Sequence, residues 1–586
     1  MRNPPKRYLL TRLILHMLLL FALPGMINSQ DYLLKVHVIE GEKIKGLPDK
    51  SQEILDSMGT FLVLKELMQD LRGDGYLAAS VDTVVFDSLD VSAYVFTGPR
   101  FEWGILSLDS IDQKILRKAG IRARSFSGKP VKFKKLASAQ KKILQVHENS
   151  GYPFASIYIS RIQMEGPVVS GILQVKDNGL FLVDTFHIKG EAKIAPVYLE
   201  KLTAVETGDV YREDRIRNIP NRIRETTFLE EIRPYELEYF EGKVDVYTYL
   251  KKARANQFNG IVGILPNNEQ TGKLLVTGDL HLSLVNPFGK GEQFYIAWRS
   301  LQPLSQELDL SISWPYLFGS SLGIGVDFGL IKQDTSFFSV NPVLDLRFFM
   351  GGTNYFNAFF ENFNSSLIST WGLENTVVLP PYADVTSYLY GLGIQFNNLD
   401  YYFNPLQGWE IQSRIGIGSK KISRNPALPE EVYESVRETS TQLKGTADIR
   451  FFQSLGGRLT LHLASRTGYI RNDDLFANEL FRLGGINTLR GVDENSIFAS
   501  FYSLGTLETR FLFERNSSVF LFIDGGYYEQ SLVDDFVADF PLGFGAGINM
   551  QTRAGIFSLN YALGKQFDNP INIGNAKIHI GYINRF

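Results

Sequence analysis

The second half of the chain alternates large apolar side chains with small or polar ones, and this pattern constrains the fold more than any other feature. The alternation is clearest over residues 388–397 and 557–564. A side-chain period of two is that of a β-strand, whose successive side chains face opposite sides. One face of each strand is therefore apolar, while the other carries polar or small residues.

A membrane β-barrel is the structure that this pattern predicts. After residue 23 no apolar run reaches the ~20 residues that a membrane-spanning helix needs. A closed barrel satisfies every backbone group without such a helix, with its apolar face toward lipid and its polar face toward the lumen. At roughly 20 residues per strand with its connection, residues 256–586 predict about 16 antiparallel strands.

The N-terminal segment has the pattern of a secretory signal. Four basic residues come before or at the start of an apolar run over residues 13–23. We therefore predict a signal peptide at residues 1–29, removed near Ser29. The chain has no cysteine, which excludes disulfides and cysteine-based metal sites. Its net charge of −3 gives no reason to expect nucleic acid as a partner.

Residues 31–255 contain a repeated α+β unit. The pairs Gly75-Tyr76, Gly151-Tyr152 and Thr227-Phe228 mark equivalent turns and are 76 residues apart. A fixed period of this size indicates an array of domains. We predict modules at residues 30–99, 100–179 and 180–255, with helical patterning at residues 51–71, 133–147 and 212–224.

A glycine-framed arginine interrupts the barrel pattern. Arg490 and Gly491 follow Gly484 and Gly485 in a stretch that lies between predicted strands. Downstream, Phe522 and Asp524 share one face of a strand, and Glu508 is a polar position of the strand before it. An arginine fork can bind carboxylates through parallel hydrogen bonds, so these residues could hold a loop against the barrel wall.

These segments resemble the BamA/TamA superfamily of outer-membrane barrels. In that superfamily the sixth extracellular loop folds into the lumen and places an Arg-Gly pair against an F-x-D-x-G strand, here Phe522 to Gly526. Residues 400–408 resemble the D-x-n-P-x-x-G turn of these barrels, and residues 543–547 resemble their penultimate hairpin. The three repeats resemble POTRA domains, and their number resembles TamA-like members. The resemblance implies an outer-membrane location with periplasmic modules.

The resemblance also implies a function in moving or assembling proteins. Client β-strands would be guided by the modules to a barrel whose first and last strands can part, because an open sheet edge offers unpaired backbone groups. Near this seam we single out residues with little side-chain bulk and the terminal aromatic, namely Gly260, Gly263, Gly581 and Phe586. The expected partners are outer-membrane lipids, unfolded client proteins and a periplasmic bridge protein or assembly accessories.

Two other functions stay open. The first is a two-partner-secretion-type pore that exports one dedicated client, and the second is a passive channel with scaffold domains. An enzyme is not expected. The G-x-S-x-G match at residues 319–323 has the pattern of a hairpin turn, whereas a nucleophile elbow requires a strand-to-helix turn. The seven histidines lack metal-ligand spacing, and no cofactor is implied.

A basic segment in the second repeat is either a solvated helix face or a docking surface. Residues 111–142 contain eleven basic residues and a single acid, Asp112. As a docking surface they would attract an acidic periplasmic partner or lipid headgroups. The candidate docking residues are Lys114, Lys118, Lys134, Lys135, Lys141 and Lys142. We also expect the polar stretch 419–444 to form an external loop.

Overall fold

A computed structural model describes most of the chain after the predicted signal peptide. The described residues are 32–41, 52–54, 57–87, 90–265, 275–300, 304–373, 376–533, 535–552 and 555–586. The predicted signal peptide lies outside them. Within these ranges, none of the helices has the length and apolar character needed to cross a bilayer.

The N-terminal part of the chain forms three small α+β modules. The first contains β1 (Tyr32–Gly41), β2 (Gln52–Ile54), α1 (Ser57–Gly73), β3 (Ser80–Asp87) and β4 (Asp90–Gly98). The second contains β5 (Glu102–Ser107), α2 (Gln113–Ala119), α3 (Phe133–Glu148), β6 (Ser156–Glu165) and β7 (Val168–Lys176). The third contains β8 (Leu182–Lys189), α4 (Pro196–Thr203), α5 (Glu213–Glu225), β9 (Leu229–Phe240) and β10 (Lys243–Lys252).

The three modules share one sheet topology. In each, the first long strand runs parallel to the last, and the remaining strand pairs antiparallel with the last: β1-β4-β3, β5-β7-β6 and β8-β10-β9. The helices cover one face because their apolar residues recur at helical spacing, such as Leu136, Ala139 and Ile143 of α3, which are buried in the module core. The predicted array of three α+β modules is confirmed.

The predicted first helix starts too early. Residues 52–54 form β2, which pairs antiparallel with β1 at Tyr32 to Leu34, and α1 begins only at Ser57. The apolar spacing of residues 51–56 suits a helix, but at residues 52–54 pairing with β1 satisfies backbone groups in another way.

The C-terminal part is a closed antiparallel barrel, as predicted. In the described part of the chain its seventeen strand segments form sixteen strands, because β26 and β27 both pair with β25 as two pieces of one strand. The segments are β11 (Gln257–Leu265), β12 (Leu275–Val285), β13 (Gln293–Ser300), β14 (Gln306–Trp314), β15 (Leu322–Gln333), β16 (Phe337–Phe349), β17 (Tyr355–Leu367), β18 (Val385–Asn397), β19 (Gly408–Ile422), β20 (Thr439–Gly456), β21 (Leu459–Arg471), β24 (Phe501–Glu514), β25 (Ser517–Ser531), β26 (Phe536–Asp539), β27 (Leu542–Gln551), β28 (Gly555–Lys565) and β29 (Lys577–Arg585). A separate two-stranded sheet, β22 (Phe481–Leu483) and β23 (Ile497–Ala499), lies in the loop between β21 and β24.

The wall alternates between an apolar outer face and a mixed inner face. On β25, Leu521 and Ile523 are exposed, while Phe522 and Asp524 are almost completely buried. The same alternation on β24 exposes Leu507 and buries Glu508. The two carboxylates therefore lie on the face opposite the exposed aliphatic band, which is the lumen side.

The predicted external loop at residues 419–444 is shorter than expected. Strand β19 continues to Ile422 and β20 begins at Thr439, so the loop covers only residues 423–438. The side chain of Lys420 is buried and lies 2.5 Å from the Glu479 carboxylate. The polar composition of residues 419–444 predicted a solvent-exposed loop. The charge of Lys420 is instead buried and compensated by the Glu479 carboxylate.

The seam between the first and last strands is short. Within the described strands, the register of β11 and β29 joins two pairs, Gln257 with Arg585 and Phe258 with Asn584. The Phe586 amide also donates to the Asn256 carbonyl at 3.1 Å. By contrast, the register of β28 and β29 runs from Gly555 to Ala562.

Three of the four predicted seam residues do not pair across the seam. Gly260 and Gly263 pair with Leu280 and Thr277 of β12, and Gly581 pairs with Ser558 of β28. Only Phe586, among the four, bonds to the other side in the described structure. The sequence identified the strands but not their register, since the alternation is compatible with several offsets. Pro266, which cannot donate a ladder hydrogen bond and which we also expect to weaken the seam, lies outside the described residues.

The third module is joined to the barrel through three hairpin turns. The Ala195 amide donates to the Gly289 carbonyl at 2.8 Å, and the Gly352 amide donates to the Leu202 carbonyl at 2.7 Å. The third turn, residues 315–321, contains the first three residues of the G-x-S-x-G match, whose last two begin β15. The Tyr316 ring of this turn packs edge-on against Tyr198 of α4, with 5.4 Å between ring centroids. These turns define the module side of the barrel.

The junction buries aromatic and charged groups together. Tyr198 is 7% exposed, and burial raises the pKa of its hydroxyl. Burial also raises the pKa of Glu225, against the opposing effects of the Arg222 guanidinium and the Thr353 amide. Arg222 bonds Glu225 at 2.8 Å, so the charge at this junction is paired.

Gly291 tests this junction because it has no room for a side chain. Its φ is +78°, and a Cβ there would collide with the Tyr198 ring. Gly457, in another turn on the module side, has φ +57° with open space around it. We expect Gly291→Ala to lower the free energy of unfolding by about 1–3 kcal/mol more than Gly457→Ala does, because the added methyl group would overpack the junction. Urea unfolding in detergent micelles measures the difference, and equal costs would contradict the described packing.

Candidate functional site: the lumen loop and its arginine

The candidate site is built around residues 472–500, which connect β21 to β24 and which we call the lumen loop. The small sheet of β22 and β23 closes its base, with Phe481 opposite Ala499. A compact apolar cluster inside the loop includes Leu483, Leu489, Val492 and Ile497. The loop is therefore a packed unit that can hold one side chain at a defined position.

Arg490 extends from this unit to two carboxylates on the wall. Its Nε and Nη2 donate to the two oxygens of Asp524 at 2.6 and 2.8 Å, and its Nη1 donates to Glu508 Oε2 at 2.6 Å. The Arg490 backbone amide adds a fourth bond to Asp524 at 3.2 Å. The predicted residues Arg490, Asp524 and Glu508 thus lie together, with both carboxylate side chains at most 4% exposed.

Phe522 forms the floor under the guanidinium. The Arg490 Cζ lies 3.5 Å from the centroid of its ring, a close cation–π contact. A planar guanidinium can stack and donate in its plane at the same time, which the rounder ammonium of lysine cannot do. The arrangement therefore selects arginine rather than positive charge alone.

Gly491 lets the loop backbone lie directly on the wall. Its φ is +93°, and a Cβ would collide with the Leu563 carbonyl. On the wall, Gly543 and Gly564 face each other on β27 and β28, and side chains there would collide with the carbonyls of Arg490 and Gly491. The glycines of the penultimate hairpin thus form a flat area against which the loop backbone packs.

Gly484 and Gly485 lie at the start of the loop tip. Both have positive φ, +111° and +85°. The Gly485 amide donates to the Val492 carbonyl, and the Leu489 amide donates to the Gly485 carbonyl. Gly484 and Gly485 therefore shape the turn that carries Arg490, whereas Gly491 allows the loop backbone to contact the wall.

Sequence reasoning missed two members of the polar cluster. Arg510 Nε donates to Glu508 Oε1 at 2.5 Å, so Glu508 lies between two arginines. His462 on β21 lies 3.2 Å from Arg510 and stacks on Phe452, with 4.4 Å between centroids. Arg510 shares the strand parity of Glu508 and could have been found, whereas His462 required knowledge of the β21–β24 register.

The loop also contacts the opposite wall. Arg482 lies 3.5 Å from Glu307 of β14 and between the rings of Phe337 and Phe498. Two adjacent loop acids reach strands on either side of the seam. Asp493 pairs with Lys577 of β29 at 2.5 Å, and Glu494 pairs with Arg299 of β13 at 3.6 Å. The loop therefore spans the lumen.

The basic segment of the second module is exposed, but part of it is paired. All six candidate lysines are solvent-exposed. Lys134 lies 3.4 Å from Asp70, and the neighbouring Lys132 lies 3.2 Å from Asp74, both acids belonging to the first module. Lys135 donates to the Ser125 carbonyl. The surface is thus less basic at Lys132 and Lys134 than the sequence indicated.

Metal binding has no candidate site in the part of the chain that the structure describes. No group of three or more histidine, aspartate or glutamate side chains there is arranged to hold an ion. The acids of the lumen loop site instead face arginines.

Comparisons with known proteins agree with this fold. Residues 286–586 match the model of the Omp85 superfamily domain. CdiB from Acinetobacter baumannii is similar with 14% identity and a TM-score of 0.51, covering 90% of this chain and 98% of its own. CdiB from Escherichia coli is similar with 14% identity and a TM-score of 0.50, covering 92% of this chain and 100% of its own. BamA from Haemophilus ducreyi lacking POTRA domains 1–3 has 15% identity and a TM-score of 0.41, covering 83% of this chain and 100% of its own. No curated protein sequence matches significantly.

The barrel, the modules and the domain match define an outer-membrane assembly or secretion barrel. The chain belongs to the Omp85 superfamily, and the resemblance stated from the sequence is confirmed. Superfamily members are bacterial outer-membrane proteins that insert or translocate proteins and are not enzymes. We call the module side of the barrel periplasmic from here on.

Replacing Arg490 should release the lumen loop. Arg490→Ala leaves the negative charges of Asp524 and Glu508 with less compensation. Removing one partner of such a buried pair lowers the free energy of unfolding by about 3–5 kcal/mol in a dry site and by less in a wet lumen. Arg490→Lys should be intermediate, since it keeps the charge but loses the fork and the stacking. Hydrogen exchange of residues 472–500 measures the release.

The control is Arg466→Ala, which removes a 2.8 Å pair with Asp448 on the lumen wall without touching the loop. This variant should leave the exchange of the loop unchanged. Equal protection of the loop in Arg490→Ala and the unmodified protein would contradict the anchoring role.

Proposed function

We propose that this protein inserts β-strands of client proteins into the outer membrane through the seam between β11 and β29. The periplasmic modules guide unfolded clients to the barrel, and a client strand pairs with the edge that β11 or β29 exposes when the seam parts. Three modules favour a TamA-like arrangement with a periplasmic bridge protein as partner.

The short seam is the observation that carries this proposal. In the described strands, two register pairs and one terminal hydrogen bond hold β11 to β29, against eight pairs between β28 and β29. Each ladder hydrogen bond contributes roughly 0.5–1.5 kcal/mol net. Parting β11 from β29 therefore costs less than parting β29 from β28, and the barrel opens where the fewest bonds are lost.

The anchored lumen loop supports strand insertion over the two alternatives. An exporter or a passive channel passes its cargo through the lumen, so the loop would have to leave. Leaving breaks the Arg490 cluster as well as the contacts of Arg482 with the opposite wall. Opening at the seam allows the Arg490 cluster to stay intact, because its residues lie on the loop, β21, β24 and β25, none of which borders the seam.

A disulfide across the seam tests the proposal. Phe258 and Asn584 are a register pair, and the chain has no native cysteine. In Phe258→Cys/Asn584→Cys, oxidation should abolish insertion and reduction should restore it. The readout is the folded fraction of a model eight-stranded outer-membrane barrel added from urea to proteoliposomes.

A matched pair controls for oxidation and for added cysteines. Ser558 and Gly581 are register partners on β28 and β29, and a Cβ at Gly581 would lie 3.8 Å from the Ser558 Cβ, within disulfide range. Oxidised Ser558→Cys/Gly581→Cys should remain active. Full activity of the oxidised seam variant would instead favour export through the lumen or a passive channel.

We further propose that the basic face of the second module docks an acidic protein partner. The third module separates it from the barrel along the chain, which favours a protein over the membrane surface. Lys114, Lys118, Lys141 and Lys142 lie on α2 and α3 and have no carboxylate within 4 Å among the ion pairs of the described residues. Exposed charges act over about 8 Å at physiological ionic strength.

Charge reversal tests the docking face. Changing these four lysines to glutamate should lower salt-sensitive capture of an acidic partner protein, while Lys132→Glu/Lys134→Glu, which acts on cations already paired, should lower it less. Binding to anionic vesicles distinguishes a membrane surface as the occupant. If the fourfold variant binds both the acidic partner protein and the anionic vesicles as the unmodified protein does, the basic face is a solvent-exposed helix surface without a docking role.

A further inference from the structure

A cavity of about 550 Å³ lies at the periplasmic end of the barrel, between the third module and the ends of the strands. We call it the arginine cavity, because four arginines line it. They are Arg224 of α5, Arg254 of the β10–β11 connection, Arg515 of the β24–β25 turn and Arg585 of β29. The first three are solvent-exposed, so a soluble ligand can enter the cavity from the periplasm.

The cavity lies at the mouth of the lumen. On β29, the exposed side chains of Ile578 and Ile580 belong to the outer face, whereas Lys577 and Arg585 have the opposite strand parity. Lys577 pairs with Asp493 of the lumen loop at 2.5 Å, which shows that this parity faces the lumen. Arg585 therefore belongs to the lumen side of its strand, at the periplasmic end.

The turn 398–407, which connects β18 to β19, reaches across this mouth. The Asn404 side chain donates to the Arg515 carbonyl at 3.3 Å. The Asn404 oxygen also lies 3.5 Å from Arg510, a member of the polar cluster in the lumen. The turn therefore forms one wall of the cavity and contacts strands remote from it in the barrel.

Two of the arginines stack on this turn and have no carboxylate partner. The Arg585 Cζ lies 3.7 Å from the Phe403 ring centroid, and the Arg515 Cζ lies 4.2 Å from that of Tyr401. Neither arginine forms an ion pair within the described residues. The Arg585 Nε is buried and donates to no acceptor there. A guanidinium held flat on a ring can still donate from its edges to an anion.

An unused hydrogen-bond acceptor lines the same cavity. The Nδ2 of Asn516 donates to Gln551 Oε1 at 2.8 Å, and both residues line the cavity. The Asn516 Oδ1 is buried and accepts no hydrogen bond in the part of the chain that the structure describes. Desolvated donors and acceptors without partners are unfavourable. A ligand that complements the cavity therefore needs an anionic group and, beside it, an N–H group.

The acids of the cavity do not cancel its positive charge. Among the described lining residues, Glu230 and Glu231 are the only carboxylates, against four arginines, and Glu230 pairs with Lys251 at 3.3 Å. Inside the barrel, by contrast, Arg414 and Arg466 pair with wall acids at 2.7 and 2.8 Å. The arginine cavity is therefore cationic even with both glutamates ionised.

We propose that the arginine cavity binds a carboxylate of an extended client segment, whose adjacent backbone N–H donates to Asn516. Carboxylate oxygens match the paired N–H edges of guanidinium groups, and a peptide has an N–H close to its C-terminal carboxylate or to an aspartate side chain. Arg585 is also the seam partner of Gln257, so the bound segment lies beside the strand edge. This inference rests on the proposed function, which supplies the client.

Titration calorimetry of the full chain in a nonionic detergent tests the site. The probe is an eight-residue peptide of glycine, serine and threonine with an acetylated N-terminus and a free C-terminal carboxylate, expected to bind one per chain. Amidation of the C-terminus should weaken binding at least tenfold, because the charge-assisted hydrogen bonds are lost. Equal binding of the amidated peptide would overturn the proposal.

An amidated peptide with one internal aspartate distinguishes the two sources of the carboxylate. Binding as tight as that of the free C-terminus supports an aspartate side chain as a ligand. Absence of binding supports the C-terminus as the ligand.

Variants of the cavity locate the binding. Arg515→Gln and Arg585→Gln should each weaken binding of the free-carboxylate peptide about tenfold. The control is Arg458→Gln, an exposed arginine in the turn between β20 and β21 outside the cavity, which should bind the peptide normally. Peptide binding that neither cavity variant weakens would overturn the site. If Arg585→Gln disturbs the seam, Arg515→Gln still decides, because Arg515 lies in another turn.

Asn516→Ala tests whether the ligand is a peptide or a simple anion. This variant should weaken binding of the peptide severalfold but leave competition by acetate unchanged, because acetate has a carboxylate and no N–H group. Peptide binding that Asn516→Ala leaves unchanged would overturn the peptide as the ligand.

The insertion assay separates this inference from the proposed function. Arg515→Gln should slow insertion of the model eight-stranded barrel severalfold, whereas Arg458→Gln should not. Normal insertion by Arg515→Gln, together with weakened peptide binding, would overturn the client as the source of the carboxylate. The oxidised seam variant should still bind the peptide. Failure of its disulfide to block insertion would therefore contradict the seam route and leave the peptide site standing.

Discussion

The bond between Arg490 and the wall carboxylates is the interaction on which the lumen side of the structure depends. Burying three charges is unfavourable unless each is paired and hydrogen-bonded. Asp524 receives the guanidinium fork, the Arg490 amide and the Thr506 hydroxyl, while Glu508 receives two arginines. Complete pairing makes the position of the loop specific, because a shift along the wall would leave buried charges without partners.

The loop can approach the wall this closely because β27 and β28 have glycines at facing positions. Gly543 and Gly564 contribute no side-chain packing, which weakens a strand locally, but their lack of a side chain leaves room for the loop backbone. The glycines by which this hairpin resembles the penultimate hairpin of the superfamily are therefore required for contact with the loop. Lipid-facing side chains of the same strands, such as Tyr561, remain exposed and preserve the apolar band.

The barrel combines one weak seam with firm attachments on both sides of it. The third module holds the turns at Gly289, Tyr316 and Gly352, all in the first half of the barrel. The Arg490 cluster fixes the loop to β24 and β25 in the second half. Between these regions, β11 and β29 share a short register. Movement at the seam therefore leaves the module turns and the Arg490 cluster unchanged, while the loop pairs of Asp493 with Lys577 and of Glu494 with Arg299 lie on its two sides.

The sequence by itself determined the fold class, the number of modules and three residues of the arginine cluster, Arg490, Glu508 and Asp524. A two-residue period specifies strands with two different faces, and strand parity places Glu508 and Asp524 on the lumen side without knowledge of partners. These are local properties, and the short helix–turn signals of the modules are local as well.

Only the tertiary structure decided which residues meet across strands and between modules. The period of two is unchanged when a strand slides by two residues, so the seam register, which excludes Gly260, Gly263 and Gly581, could not be derived. The replacement of a predicted helical turn by β2, the burial of Lys420 and the pairing of Lys134 with Asp70 depend on distant partners. A side chain's environment is set by what folds against it, and sequence spacing does not contain that information.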